Sequence, residues 1–279
     1  MADDGEEKTL AWLRRFGYVQ SAHPTTADFV AAVRRMQQVY GLTPDGIPGP
    51  ITQRAMRLFR CSHDDTAIVT PAIPVAPTNA ARWYKTTVSF AVHDAVALGG
   101  NRDGCLAIIR NGFKYYESLT GLTFVEGTDY VSADIQISAS RDTVIGFDGV
   151  GNVLALSGVP RGQQDRQLRS IFDADEPWNL NVHGAGVLLQ AVWMHELGHL
   201  LGLSHSDDPA DIMSPYYTPD LLYPQRGDKQ RLASLYGIPY LETEDASAHL
   251  SVGAYQLDGV LVVRHDGGVA INLKNLRPA

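Results

Sequence analysis

The chain of 279 residues reads as an α+β protein: a strand-rich unit built around one buried helix, preceded by a small bundle of three helices. Three observations predict this. Between positions 8 and 60, apolar residues recur at helical spacing in three short runs separated by Gly/Pro turns. From Arg82 onward the pattern changes to strand, helix, strand, strand, and then a helix that is apolar nearly all round. Between the two lies Thr66 to Ala80, with three prolines and no charge, which reads as an extended linker.

In the first unit, Leu10, Leu13, Phe16 and Tyr18 predict a short helix ending near Gly17. Thr26-Ala27-Asp28 predicts a helix start, with Phe29, Val33, Met36, Gln37 and Tyr40 following on one face. Gly41 to Gly46 is a turn cluster. Pro48-Gly49-Pro50 leads into a third helix, with Ile51, Ala55, Leu58 and Phe59 expected on one face. Such a bundle is marginal by itself. In the second unit, Thr86 to Val92 alternates as a strand, and Leu106, Ile109, Phe113 and Tyr116 mark a helix from Cys105 to Tyr116. Leu122 to Val125 and Ala133 to Ser138 read as strands, and a last helix runs from about Asp228 to Leu235-Tyr236-Gly237. Beyond residue 240, Tyr255 to Val263 and Val269 to Leu273 read as β-hairpins around Asp-Gly turns, with no role assigned.

Composition narrows the function classes. A net charge of -8 argues against a nucleic-acid partner. No apolar run approaches the length of a membrane span. The start, Met1 to Glu7, is acidic and lacks the basic-then-apolar layout of a signal peptide. A leader removed beforehand, another export route and an internal location all stay open. Cys61 and Cys105 make no disulfide framework, and one bridge between them stays open.

The chemistry sits in His195-Glu196-Leu197-Gly198-His199-Leu200-Leu201-Gly202-Leu203-Ser204-His205. Residues four apart share a helix face, so His195 and His199 present two imidazoles to one point. Gly202 lets the chain leave the helix, and His205 returns as a third ligand. Three ligands with an open fourth position are the mark of a catalytic zinc site. Glu196 is placed to reach a water there without being a ligand. A core helix that merely carries histidines is the bland alternative, but burying three imidazoles and a carboxylate without a shared partner is costly.

With Met213 eight residues past His205, this stretch resembles the extended zinc motif of the metzincins, followed by their Met-turn. Residues 82 to 237 resemble a matrixin catalytic domain, and Phe29 to Leu58 resembles the peptidoglycan-binding-like domain that opens matrix metalloproteinase propeptides. The resemblance implies a metzincin fold, a twisted mixed β-sheet with the active-site helix. It divides the chain into a prodomain (1–65), linker (66–80), catalytic domain (81–239) and extension (240–279). Matrixin propeptides end in Pro-Arg-Cys-Gly-x-Pro-Asp, whose cysteine caps the zinc. Here Arg60, Cys61 and Asp65 are kept, while Phe59, Ser62 and Asp64 depart from the pattern. An idle buried cysteine is the alternative.

The resemblance further implies a zinc endopeptidase, secreted, acting on protein or peptide substrates as a monomer. Glu196 would be the general base, Met213 a packed floor, and Pro215 and Tyr217 the wall of the pocket for an apolar P1′ side chain. The family's calcium carboxylates fall on Asp148, Asp173 and Glu176, with backbone carbonyls at Gly149, Gly151 and Val153. Hard oxygen ligands suit Ca²⁺, and a solvated acidic turn is the alternative. The family's structural zinc ligands fall on Arg141, Thr143, Leu156 and Ile171, none of which can serve, so that zinc is expected to be absent. Two rival readings stand beside the latent protease: an N-terminal unit that targets cell-wall polysaccharide rather than inhibiting, and a pseudoenzyme whose zinc only shapes the fold. The intact Glu196 speaks against the second.

Overall fold

The computed structural model describes residues 4–65, 82–94, 96–160, 167–238, 254–257, 260–263 and 277–278. The expected linker lies outside the described residues. The chain divides into two compact units, 1–238 and 239–279.

The first unit opens with helices α1 (Asp4–Arg15), α2 (Thr26–Val39) and α3 (Pro50–Ala55). A capping box starts α2: Asp28 N donates to Thr25 Oγ1 (3.2 Å), and Thr25 N donates to Asp28 Oδ2 (2.8 Å). Leu13, Phe16, Val33, Met36 and Met56 form the inner faces. Gln37 is buried because its amide is spent on the 45–52 turn. It donates to Asp45 Oδ1 (2.7 Å) and Thr52 Oγ1 (3.0 Å) and accepts from Gly46 N (2.8 Å). That bond draws Thr52 inward and corrects the expected face of α3. Ile51 is 72% and Leu58 45% exposed, while Thr52, Ala55 and Met56 are buried. A helix of six residues is too short for its periodicity to decide its facing. The bundle does not close its own core: Phe147 and Val153, from the strand-rich part, complete it.

The strands are β1 (Arg60–Cys61), β2 (Thr87–Val92), β3 (Thr123–Glu126), β4 (Ile135–Ser140), β5 (Val153–Ser157) and β6 (Leu168–Asp173). They form one mixed sheet in the order β1-β5-β6-β4-β2-β3, with β5 antiparallel to β6 and every other pair parallel. β5 and β6 are strands that the sequence pattern does not predict. Val-Leu-Ala-Leu-Ser is a short run without alternation, which periodicity alone cannot identify. β1 comes from the segment that closes the N-terminal part, so the chain before the linker supplies an edge strand.

Helix α4 (Arg102–Thr120) packs on the sheet, with the Phe113 ring against those of Phe90 and Phe124. It is longer than its apolar stripe because Asn101 Oδ1 caps Gly104 N (3.0 Å) and Gly121, at φ 67°, ends it. A short pair, β7 (Trp178–Asn179) with β8 (Val187–Leu188), leads into α5 (Leu189–Leu200), and α6 (Arg226–Tyr236) closes the unit. Every residue of α5 except Gln190 is buried, as its all-round apolar pattern demands.

In the second unit, β9 (Ala254–Leu257) and β10 (Val260–Val263) pair antiparallel, as expected of the first hairpin, and β11 (Arg277–Pro278) pairs with β9. The expected strand at 269–273 lies outside the described residues. Among those described, no helix is long and apolar enough to cross a membrane.

Candidate active site

His195 and His199 are one turn apart on α5, and their rings meet on one face. The helix ends at Leu200, Gly202 takes φ 100°, and the chain turns back so that Ser206 N bonds Met213 O at 2.8 Å. This fold-back brings His205 beside the other two. Each ring is oriented through Nδ1. That of His195 donates to Ile212 O (2.6 Å), that of His199 to Leu203 O (2.8 Å), and that of His205 meets Asp65 Oδ1 (2.9 Å). Because a carbonyl only accepts, Nδ1 of the first two carries the proton, and a neutral ring then offers a lone pair at Nε2.

Those lone pairs converge. The Nε2 atoms of His195 and His199 are 3.1 Å apart, and Cys61 Sγ lies 3.4 Å from His199 Nε2. His205 Nε2 is buried without a hydrogen bond among the described residues. Donor atoms of all four residues lie within 4.8 Å of one another. Tetrahedral bonds of the usual Zn–N and Zn–S lengths put neighbouring ligand atoms about 3.3–3.5 Å apart. Two acceptors at 3.1 Å repel unless a proton or cation lies between them, so the donor set fits a zinc ion. The buried site disfavours charge: burial lowers the imidazole pKa to about 3 at His195 and far down at His199, keeping both rings neutral, and pushes the Cys61 thiol up.

Glu196 points from the same turn into the same space. It is fully buried, and neither oxygen has a hydrogen bond among the described residues. Its polar neighbours are Ser157 and Cys61, and burial pushes its carboxyl up to about 7. Below the histidines lies Met213. Gly198 makes room for it, since a Cβ there would sit 2.4 Å from Met213 Sδ. The turn carrying Met213 is held by Asp228 of α6, which accepts from Ile212 N (2.8 Å) and Met213 N (3.3 Å).

The cleft beside the histidines is filled by the chain itself. Arg60 N donates to Asn152 O (2.7 Å) and Ser62 N to Ala155 O (3.1 Å) on β5, while Cys61 N donates to Pro215 O (3.2 Å) and Phe59 O accepts from Tyr217 N (2.8 Å). Pro215 and Tyr217 thus form the wall opposite β5, and Tyr217 Oη accepts from Leu188 N at 2.9 Å. The cavity between them is lined by Cys61, Leu154, Val192, His195, Glu196 and Leu221.

Arg60 anchors this segment. It is buried, lies 3.5 Å from the Phe16 ring centroid, donates to Tyr40 Oη (2.7 Å), and pairs with Asp65 at 2.9 Å. Sequence reasoning missed Tyr18, Tyr40 and Asp228 as partners of the site, because only the fold brings them near. His63, close to Cys61 in the sequence, reads either as a further metal contact or as incidental, and it is not among the four converging donors. That ring lies 4.1 Å from the His199 ring, and its Nε2 donates to Ser157 O.

The expected calcium residues come together in part. Asp173 Oδ2 and Glu176 Oε2 are buried without hydrogen bonds among the described residues. Gly149 and Gly151 take φ 81° and 105°, and Gly151 N donates to Glu176 Oε1 (2.6 Å). Burial, with Asp173 next to it, pushes the Glu176 carboxyl up to about 7. Asp148 stands at the rim, 3.9 Å from Arg15. Val153 lies in β5 with its side chain in the helical core. At the positions expected for a structural zinc, Leu156 pairs with Ile171 across β5 and β6, and Arg141 pairs with Asp175 at 2.7 Å.

Comparison with known proteins agrees with this arrangement. The family model described as "Matrixin" matches residues 82–237, and that described as "Putative peptidoglycan binding domain" matches 11–56. The chain is 34% identical to human matrix metalloproteinase-17 over 251 residues, covering 82% of this chain and 40% of that protein. It is 30% identical to human matrix metalloproteinase-25, covering 81% and 44%, and 29% identical to human matrix metalloproteinase-15, covering 85% and 39%. The chain therefore spans about two fifths of the length of these relatives.

Proposed function

Because this chain belongs to the matrixin family, a family of zinc metalloendopeptidases, we propose that it hydrolyses internal peptide bonds of proteins and is made in a latent form. The observation that carries this is the convergence of three imidazole Nε2 atoms and the Cys61 sulfur on one buried point beside Glu196. His195, His199 and His205 would hold zinc. When bound, zinc polarises the scissile carbonyl and makes water more acidic. Glu196 takes the proton of the attacking water and passes it to the leaving amine. Met213 packs beneath the histidines and moves no proton. Pro215 and Tyr217 bound the pocket for an apolar side chain.

Latency follows from what occupies the cleft. Cys61 supplies a fourth donor, and the backbone of 59–62 takes the hydrogen bonds that β5 and residues 215–217 offer to an extended peptide. The division into prodomain (1–65), linker (66–80), catalytic domain (81–239) and extension (240–279) belongs to this reading. So do a Ca²⁺ on Asp148, Asp173 and Glu176, a fold without structural zinc, a monomeric state and action outside the cell. A second reading has support of its own in the match of residues 11–56 to the peptidoglycan-binding model: the N-terminal unit binds cell-wall polysaccharide.

The test compares cleavage of a quenched peptide by the full chain, by Cys61→Ser, and by a chain beginning at Ala81. Activity in the short chain and in Cys61→Ser, with little in the full chain, is the expected result. Equal activity in all three would make the N-terminal unit a targeting module, and none in any form with zinc bound would favour a pseudoenzyme.

A further inference from the structure

We infer that Asp65 is an outer-shell partner of the zinc site, so that the segment closing the N-terminal part holds the metal in place as well as blocking the cleft. This rests on the zinc reading above. The three histidines are not oriented alike. His195 and His199 donate through Nδ1 to carbonyls of Ile212 and Leu203, on the same side of the linker as the rings themselves. His205 instead bonds the Oδ1 atom of Asp65, at 2.9 Å, 140 residues earlier in the chain. Both side chains are almost fully buried.

The carboxylate is itself locked. Arg60 forks onto it, with Nη2 at 2.9 Å from Oδ1 and Nη1 at 3.2 Å from Oδ2, and Tyr18 Oη donates to Oδ2 at 2.6 Å. Asp65 N also donates to Phe16 O at 2.9 Å. One acid thus ties Tyr18, the Arg60 anchor and the third zinc ligand together. A carboxylate on Nδ1 fixes the tautomer that leaves Nε2 free, and makes that nitrogen a better donor than a carbonyl partner does. Removing the N-terminal part therefore takes two supports from the metal, the Cys61 sulfur and the Asp65 carboxylate. The site would be tightest when latent and looser when active.

The experiment uses the full, zinc-loaded chain and follows zinc release into excess chromophoric chelator. Asp65→Asn is expected to lose zinc on the order of 10–100 times faster than the unmodified chain. Tyr18→Phe is the control for a purely structural role. It removes a bond to Oδ2 and leaves the bond to His205, so its release rate should stay close to that of the unmodified chain even if its melting temperature falls. Equal acceleration by the two variants, or none in Asp65→Asn with zinc bound, overturns the inference. Should Asp65→Asn not fold, the Nδ1 proton of His205 in the zinc-loaded, ¹⁵N-histidine chain decides. A strongly deshielded resonance supports the carboxylate partner, and an ordinary one overturns it. A full chain that binds no zinc overturns the zinc reading and this inference together, whereas equal release rates overturn this inference alone.

Discussion

Among the described residues, both oxygens of buried Glu196 and Oε2 of buried Glu176 have no hydrogen bond, which a folded chain keeps only when something else makes use of them. For Glu196 the use is proton transfer. Glu196→Gln keeps the shape and removes the base, so peptide turnover by the chain beginning at Ala81 should fall about 10²–10⁴-fold with zinc content unchanged. Loss of zinc in that variant would mean that Glu196 is a ligand or a structural support instead. For Glu176 the use is a cation. Its carboxyl is raised from 4.5 to about 7, so between those values the folded chain holds a proton that the unfolded chain has released. Its contribution to stability is full below about pH 4.5 and is lost as pH rises through 7. A bound Ca²⁺ offsets that loss. Adding Ca²⁺ should therefore raise the melting temperature clearly at pH 8 and little at pH 5, and Glu176→Gln should abolish the difference. An equal rise at both pH values would exclude this site.

The active-site helix is positioned by its neighbours at a few close approaches. Gly112 of α4 faces Trp193 of α5, and a Cβ there would lie 2.3 Å from Trp193 Nε1, an atom that donates to Ile109 O at 3.1 Å. Gly to Ala inside an exposed helix gains about 1 kcal/mol. Here overpacking, at about 1–3 kcal/mol, outweighs it. Gly112→Ala should therefore destabilise the chain, and denaturant unfolding that shows a gain would refute the contact. The second fixed point is Asp228, which carries the turn under Met213 and also pairs with Arg231 at 2.9 Å. Asp228→Ala strands the buried N–H groups of Ile212 and Met213, at about 1–3 kcal/mol each, while Arg231 keeps Asp211 and the Ser204 carbonyl. Because the turn also carries the Ile212 carbonyl that orients His195, zinc affinity should fall with stability. Unchanged zinc affinity would separate the turn from the metal.

Across the whole described part, the N-terminal helices depend on the sheet they cover. Phe147 and Val153 belong to their core, Tyr40 lies 5.3 Å from the Tyr216 ring, and β1 pairs with β5. A fragment of residues 1–65 loses all of these and is too small to replace them. Its circular dichroism should show little helix and no cooperative melting. A sharp transition would establish an independent domain and strengthen the targeting reading.

The sequence by itself determined the zinc-type motif on a buried helix, the Met-turn, the Arg60-Cys61 segment and the order of the larger elements. Each is a local pattern: i,i+4 spacing, all-round apolarity, or a short motif. It did not determine β5 and β6, the facing of α3, or the partners Asp65, Tyr18, Tyr40 and Asp228. Strands without alternation carry no periodic signal, and a six-residue helix carries little. The resemblance implies Cys61 at the histidines, and the fold brings it to His199, 138 residues away; only the tertiary structure decided that Asp65 meets His205, 140 away. Such contacts depend on how separate elements pack, and packing is a sum of many weak interactions that no short stretch of sequence contains.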